Sequence, residues 1–298
     1  MSDQTGDLLK LTKAGDLRAF AKFLSALERE GPASLKRHPE LLNPSAQAFR
    51  LGITGPPGAG KSTLIGRLIG LLRAQGLKVG VLAVDPSSPF TKGAILGDRI
   101  RYTDYFGDEG VFIRSLGSRG SLGGLSSSAY LMVRAFDLAG FDIVLLETVG
   151  VGQTELEIMN VADVVAVTLV PESGDSIQGM KAGLLEIASL FLVNKGDRPG
   201  ADIFLRELEA ALHLDPRAPT QSVPVLKISA LTGDGVADLV SRITAMTAQS
   251  GAGSWREKRK DLTRVRAEAG SLLRTKAELE IAKQTAKIQS LQDFAALF

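Results

Sequence analysis

The feature that most constrains this chain is the octapeptide Gly55-Pro56-Pro57-Gly58-Ala59-Gly60-Lys61-Ser62, taken with what flanks it. The apolar run LGIT (51–54) precedes it directly, and the helical run STLIGRLIGLLRAQG follows from Ser62. Strand, glycine-rich turn and helix in that order make a phosphate cradle. The glycines let backbone N–H groups turn inward, and the helix N-terminus adds the positive end of its dipole. In such a cradle Lys61 supplies charge to the β- and γ-phosphates, and the Ser62 hydroxyl is placed to ligate Mg²⁺. Thr63 is placed to touch the α-phosphate. The pattern predicts a nucleoside triphosphate site.

The rest of the chain supports an α/β fold around that turn. Strand candidates are LGIT (51–54), VGVLAVD (79–85), VFIR (111–114), IVLLE (143–147), VVAVTLV (164–170), LFLVN (190–194) and VPVLKIS (223–229). Most lack polar alternation, as expected of strands covered on both faces. Helical stretches between them imply βαβ crossovers, so the expected fold is a P-loop NTPase with a mainly parallel sheet of about seven strands.

Residues 1–47 read as a helical extension, with Leu17, Phe20, Phe23, Leu24 and Leu27 at helical spacing. The expected divisions are that extension, a nucleotide domain over 48–250, and a helical C-terminal extension over 251–298. The tail carries apolar positions at Leu262, Val265, Ala269, Leu272, Leu279, Ala286 and Leu291. They fit either a helix packed on its own domain or an arm that dimerises. Trp255 at its start reads as a buried anchor, and Arg256–Lys260 as a solvated helix face.

Composition narrows the function by exclusion. A formal net charge of +2 gives no reason to expect nucleic acid or a membrane as partner. No cysteine is present, and His38 and His213 are the only histidines, so a Cys- or His-built metal centre is excluded. The chain begins without a signal-peptide-like apolar core, and no run approaches the roughly 18 apolar residues of a span. A cytoplasmic enzyme is the expectation.

Asn194-Lys195-Gly196-Asp197 follows the strand LFLV and fits N-K-x-D, the guanine-reading signature. The Asp197 carboxylate can accept from both N1–H and the 2-amino group of guanine. Adenine lacks that donor pair and would leave the carboxylate unpaired. Lys195 would lie along the base, and Asn194 would tie this loop to the P-loop. Ser229-Ala230-Leu231, after VPVLKI, fits the S-A-x element whose backbone N–H contacts the guanine oxygen. The order of these elements favours GTP.

Glu147-Thr148-Val149-Gly150 ends the strand IVLLE where many GTPases carry D-x-x-G. Asp85 ends VLAVD, and Asp98 lies in ILGDR. Ser62, Asp85, Asp98 and Glu147 together offer the hydroxyl and carboxylate oxygens that Mg²⁺ prefers. Val151 stands where Ras-like enzymes place the water-orienting glutamine, with Gln153 two residues later. Unassisted hydrolysis is therefore expected at on the order of 10⁻⁴ to 10⁻² s⁻¹. Arg114, Arg119 and the serines between 115 and 128 are candidates to contact the γ-phosphate or a partner.

Four segments carry a closer resemblance: DPSSPFTKGAILGDRIR (85–101), VFIRSLGSRGSLGGLS (111–126), ETVGVGQTE (147–155) and PESGDSIQGMKAG (171–183). Together they resemble the MeaB/ArgK/MMAA group, within the SIMIBI class of P-loop GTPases. Thr91-Lys92-Gly93 and Tyr102 depart from that group, which commonly has Ser-Gly-Gly and methionine there. The resemblance implies a GTPase chaperone of an adenosylcobalamin-dependent acyl-CoA mutase, typically methylmalonyl-CoA mutase, and usually a homodimer. It implies switch segments near Ser87–Asp98, Val149–Glu155 and Glu172–Lys181, with Lys181 reaching toward the nucleotide when the mutase docks. A different acyl-CoA mutase, or a kinase or ATPase linked to amino-acid transport, are the alternative readings.

Overall fold

Strand pairing begins where the apolar runs lose their polar interruptions. The computed structural model of the chain describes residues 2–44, 46–85, 102–117, 127–148, 154–173, 186–214, 223–249, 254–260 and 262–285. Seven strands form: β1 (Phe49–Thr54), β2 (Val79–Asp85), β3 (Val111–Gly117), β4 (Ile143–Thr148), β5 (Val164–Leu169), β6 (Leu190–Val193) and β7 (Val225–Lys227). Every pair is parallel, in the order β3-β2-β4-β1-β5-β6-β7. The expected parallel sheet is thus present, and all its described pairs are parallel. β7 is shorter than the run VPVLKIS because Pro224 has no N–H to give a ladder, though its carbonyl accepts from Phe191 N.

The pleat sends alternate residues to two cores. Leu51 and Ile53 of β1, Val79 and Val81 of β2, and Ile143 and Leu145 of β4 share one face. It is covered by α4 (Lys61–Ala74), whose Leu64, Ile65, Leu68, Ile69 and Leu72 form the buried stripe, and by α8 (Val236–Ala248). The opposite face takes Leu82, Val84, Val144, Leu146, Val165 and Val167. There it meets α5 (Ser127–Leu138), α6 (Thr154–Val161) and α7 (Ala201–Leu214).

The N-terminal helices α1 (Ser2–Lys13) and α2 (Leu17–Glu30) add to this second core; α3 (Ser34–Arg37) is a short turn beyond them. The Asp16 carboxylate caps α2 by accepting from Arg18 N and Ala19 N at 2.8 and 2.9 Å. The expected apolar positions Phe20, Phe23, Leu24 and Leu27 are buried, with Phe20 ringed by Phe112, Phe136 and Phe141.

The C-terminal segments α9 (Trp255–Arg259) and α10 (Leu262–Thr285) return to the end of the sheet opposite the P-loop. Trp255 is buried edge-on to Phe49, its ring centroid 5.7 Å away. Arg259 does not follow the solvated face expected of its neighbours. It turns inward to Asp163, ahead of β5, while Arg256 and Lys258 stay exposed. Further along, Glu268 pairs with Arg134 of α5 at 2.6 Å. Val265, Leu273, Leu279 and Ile281 are exposed, and Ala286 and Leu291 lie outside the described residues.

Candidate functional site

The C-terminal edge of β1 is where the glycine-rich turn leaves the sheet, and its geometry accounts for its composition. Gly55 has φ +136°, and a Cβ there would lie 2.0 Å from the Thr168 carbonyl oxygen. Gly60 has φ +85°, and a Cβ would lie 2.4 Å from Asn194 Nδ2. No larger residue fits either place. Pro56 and Pro57 form the outer rim with Gly58, and Ala59 is buried beneath. Because Gly60 offers no capping side chain, the first-turn N–H groups of α4 are directed out of the helix end. Lys61 is buried, and its Nζ donates to the Gly55 and Pro56 carbonyls at 2.7 and 3.1 Å. Thr63 is exposed on the same turn.

Ser62, in the first turn of α4, meets Glu147 of β4: Ser62 Oγ donates to Glu147 Oε1 at 2.6 Å. Tyr102 OH donates to Glu147 Oε2 at 2.8 Å. One strand position later, Thr148 Oγ1 donates to Thr54 Oγ1 at 2.8 Å and ties the ends of β4 and β1. Among the described residues no three carboxylate or imidazole groups gather as a metal cage. One hydroxyl backed by one carboxylate suits a cation that takes most of its ligands from phosphates and water, as Mg²⁺ does. Asp85 ends β2 as expected, but its side chain is outside the described part of the chain, as are Asp98, Gln153 and Lys181. The expected switch segments lie wholly or largely outside it too.

The base loop is tied to the backbone of this cradle through the Asn194 amide. Asn194, buried, donates from Nδ2 to the Ala59 carbonyl at 2.7 Å and accepts at Oδ1 from Ala230 N at 2.9 Å. A single amide therefore joins the P-loop, N-K-x-D and S-A-x elements, which lie far apart in sequence. Lys195 turns the chain at φ +57°, the one described non-glycine residue with positive φ. Gly196 N donates to the Ile228 carbonyl at 2.8 Å. Asp197 is exposed at the rim. A hydrogen bond from the Ser229 hydroxyl, then one from its own backbone, hold its carboxyl below the usual carboxylate range; Arg198 and Lys195 act in the same direction. Leu231, the last residue of the S-A-x element, is largely exposed.

Two contributors carry no motif. Arg67, two turns into α4, donates from Nε to the Ala230 carbonyl at 3.2 Å and from Nη2 to the Leu231 carbonyl at 2.6 Å. It braces the base loop against the phosphate helix, and no local pattern marks it. Tyr102 is the second, reaching Glu147 across 45 residues of sequence. Arg114, a sequence candidate for the γ-phosphate, instead pairs with Glu28 of α2 at 2.6 Å. Its position in β3, at the sheet edge, directs it to the N-terminal helices. Arg119 lies outside the described residues.

Comparison with known proteins agrees with the geometry. A family sequence model described as "Methylmalonyl Co-A mutase-associated GTPase MeaB" matches residues 20–283. A protein described as a putative GTPase from Pyrococcus horikoshii is 46% identical over 240 residues, covering 80% of this chain and 76% of its own length. The GTPase ArgK of Escherichia coli is 38% identical over 252 residues, covering 80% of this chain and 76% of its own length. The mouse mitochondrial methylmalonic aciduria type A homolog is 37% identical, with 69% of this chain and 51% of its own length covered. Among solved structures, one described as a LAO/AO transport system kinase superposes with a TM-score of 0.67 at 28% identity, covering 96% of this chain and 87% of that one. With a family match over nearly the whole chain and relatives named as GTPases, the conclusion is direct: the chain belongs to the MeaB family of GTPases.

Proposed function

We propose that this chain binds GTP at the Gly55–Thr63 cradle, hydrolyses it slowly, and uses the bound state to govern an adenosylcobalamin-dependent acyl-CoA mutase. The observation that carries the guanine reading is the Asn194 clamp, which sets the base loop against the phosphate loop. Asp197 is thereby presented as a carboxylate on the same edge of the sheet as the cradle. Guanine satisfies that carboxylate with two donors and Lys195 covers the base. Of the Ser229-Ala230-Leu231 backbone, Leu231 N–H is the donor proposed for its oxygen, because Ser229 N and Ala230 N donate to the Asp234 carbonyl and Asn194 Oδ1.

On the phosphate side, Gly55, Pro56, Pro57, Gly58, Ala59 and Gly60 supply the backbone cradle. Lys61 exchanges its loop carbonyls for β- and γ-phosphate oxygens, and Thr63 reaches the α-phosphate. Ser62 holds Mg²⁺, with Glu147 behind it; Asp85 and Asp98 complete the proposed shell. The ion, when bound, neutralises phosphate charge. Positioning and electrostatics are then the whole of the chain's contribution, because phosphoryl transfer to water needs little else from a protein. With Val151 in place of a water-orienting glutamine, the intrinsic rate stays low; Gln153 is the residue proposed to help orient the water, and Lys181 to reach the nucleotide when the partner docks.

The family description supports methylmalonyl-CoA mutase as that partner, and the mouse relative's name points the same way. A cytoplasmic homodimer is the proposed state. Among the described residues no helix is long and apolar enough to cross a membrane. The likeness to the solved LAO/AO transport system kinase favours a second reading, a kinase.

Phosphate release from GTP by the purified chain, with and without methylmalonyl-CoA mutase, separates these readings. We expect on the order of 10⁻⁴ to 10⁻² s⁻¹ alone and a severalfold rise with the mutase. No rise would remove that mutase as partner, and phosphate delivered to an acceptor other than water would favour the kinase. Arg67→Ala is expected to weaken guanine-nucleotide binding roughly five- to tenfold, through two lost hydrogen bonds to the base loop. Titration of a fluorescent GDP analogue measures it.

A further inference from the structure

The Glu147 carboxylate accepts from two hydroxyls that lie far apart in the sequence. Ser62 Oγ, 85 residues before it, takes Oε1, and Tyr102 OH, 45 residues before it, takes Oε2. The last torsion of a glutamate is broad, so a single donor leaves the carboxylate plane free to turn. Two donors on two oxygens fix it. The consequence falls on Ser62. A hydroxyl has one hydrogen and two lone pairs; with the hydrogen given to Glu147, the lone pairs are what Ser62 offers a cation. Whatever holds Glu147 therefore aims Ser62.

Tyr102 has a rigid seat from which to do this. Its ring is 1% exposed, in the core shared with Leu64 and Leu68 of α4 and Val81 of β2. The residues that follow are fastened to the same helix. Tyr105 OH donates to the Gly66 carbonyl at 2.9 Å, and Asp108 receives both Nε and Nη2 of Arg73 at 2.8 Å. Three successive attachments to α4 and Glu147 thus run from Tyr102 to Asp108.

We propose that Tyr102 is a positioning residue for the metal: its hydroxyl fixes Glu147, which orients Ser62 toward the Mg²⁺ that accompanies the nucleotide. This rests on the guanine-nucleotide reading given above. It also makes the residue that opens the 102–108 anchor responsive to what occupies the phosphate site.

The test is nucleotide release, which reads the metal separately from turnover. A fluorescent GDP analogue is chased from wild type, Tyr102→Phe and Tyr105→Phe, once with excess Mg²⁺ and once with EDTA. Tyr105→Phe removes a hydroxyl from the same anchor without touching Glu147. In Tyr102→Phe, release with Mg²⁺ is expected to be about tenfold faster than wild type, the lower end of what a hydrogen bond to a charged group contributes. Release in EDTA should stay unchanged, and Tyr105→Phe should keep the wild-type ratio. The Mg²⁺ concentration for half-maximal GTP turnover should rise in parallel. An unchanged Mg²⁺-to-EDTA ratio in Tyr102→Phe, or equal acceleration under both conditions, overturns the proposal and leaves Tyr102 as packing. Wild type that binds the analogue yet ignores Mg²⁺ overturns the metal role while the guanine reading stands. Wild type that binds no guanine nucleotide overturns both.

Discussion

Replacing Asp163 with alanine is expected to cost roughly 3–5 kcal/mol of folding stability, the range seen when one partner of a buried ion pair is removed. In a chain of this size that lowers the melting temperature by on the order of 10 °C. Asp163 is fully buried as a side chain and sits between Val161 of α6 and β5. It accepts from Arg50 N at 2.8 Å and Arg259 Nε at 2.7 Å, makes a second, closer contact with Arg259 Nη2, and lies 3.5 Å from Arg264 Nη1. Arg50 in turn reaches Asp137 at 2.6 Å.

Burial pushes the Arg50 and Arg264 guanidiniums below their ordinary pKa, and nearby carboxylates oppose it: chiefly Asp137 for Arg50, and Asp163 for Arg264. Without Asp163 the guanidiniums of Arg259 and Arg264 lose their carboxylate partner, while Arg50 keeps Asp137. The tail should loosen first, because Arg259 and Arg264 carry α9 and α10 onto the domain. Thermal melts of the wild type and Asp163→Ala check this; a loss below about 1 kcal/mol, the scale of a surface pair, would contradict it. Nucleotide affinity at 25 °C should change little, since the network lies at the far end of β1 from Gly55.

What is legible in the sequence, and what is not, divides along a physical line. The phosphate turn and the base loop are local: each is a short run of residue types that its own backbone demands, as the positive φ values of Gly55, Gly60 and Lys195 show. Most of the seven strands are legible because burial on both faces removes polar residues from their interiors, while the flanking strands β3 and β7 keep Arg114 and Lys227. Their order is not, since which strand lies beside β1 is decided by packing between elements far apart in sequence, as where Leu51 of β1 pairs with Val164 of β5. For the same reason neither Arg67 nor Tyr102 reads as a site residue. Each acts at a distance through a direction set only by the folded core. The run Arg256–Lys260 reads as a solvated face because composition cannot reveal that one arginine in it faces a buried aspartate.

Asp197→Asn is expected to invert the base preference. The carboxylate can accept two hydrogen bonds from guanine, whereas asparagine offers an N–H₂ that opposes the guanine 2-amino group. That same N–H₂ suits the 2-oxo group of xanthine. A site built around a hydrogen-bonding partner discriminates steeply when the partner is wrong, so GTP affinity should fall by on the order of 10³-fold while xanthosine triphosphate gains comparably. The exposed setting of Asp197 favours a clean exchange, because its side chain is not part of the core. Its hydrogen bond from Ser229 holds the carboxyl below the usual carboxylate range, so the wild-type preference should hold across neutral and mildly acidic pH.

Competition of GTP, xanthosine triphosphate and ATP against a fluorescent nucleotide, on wild type and on Asp197→Asn, tests the guanine site most directly. On wild type GTP alone should compete, and on the variant xanthosine triphosphate should take its place. A variant that keeps its affinity for GTP and gains none for xanthosine triphosphate would mean that the base is not read at Asp197.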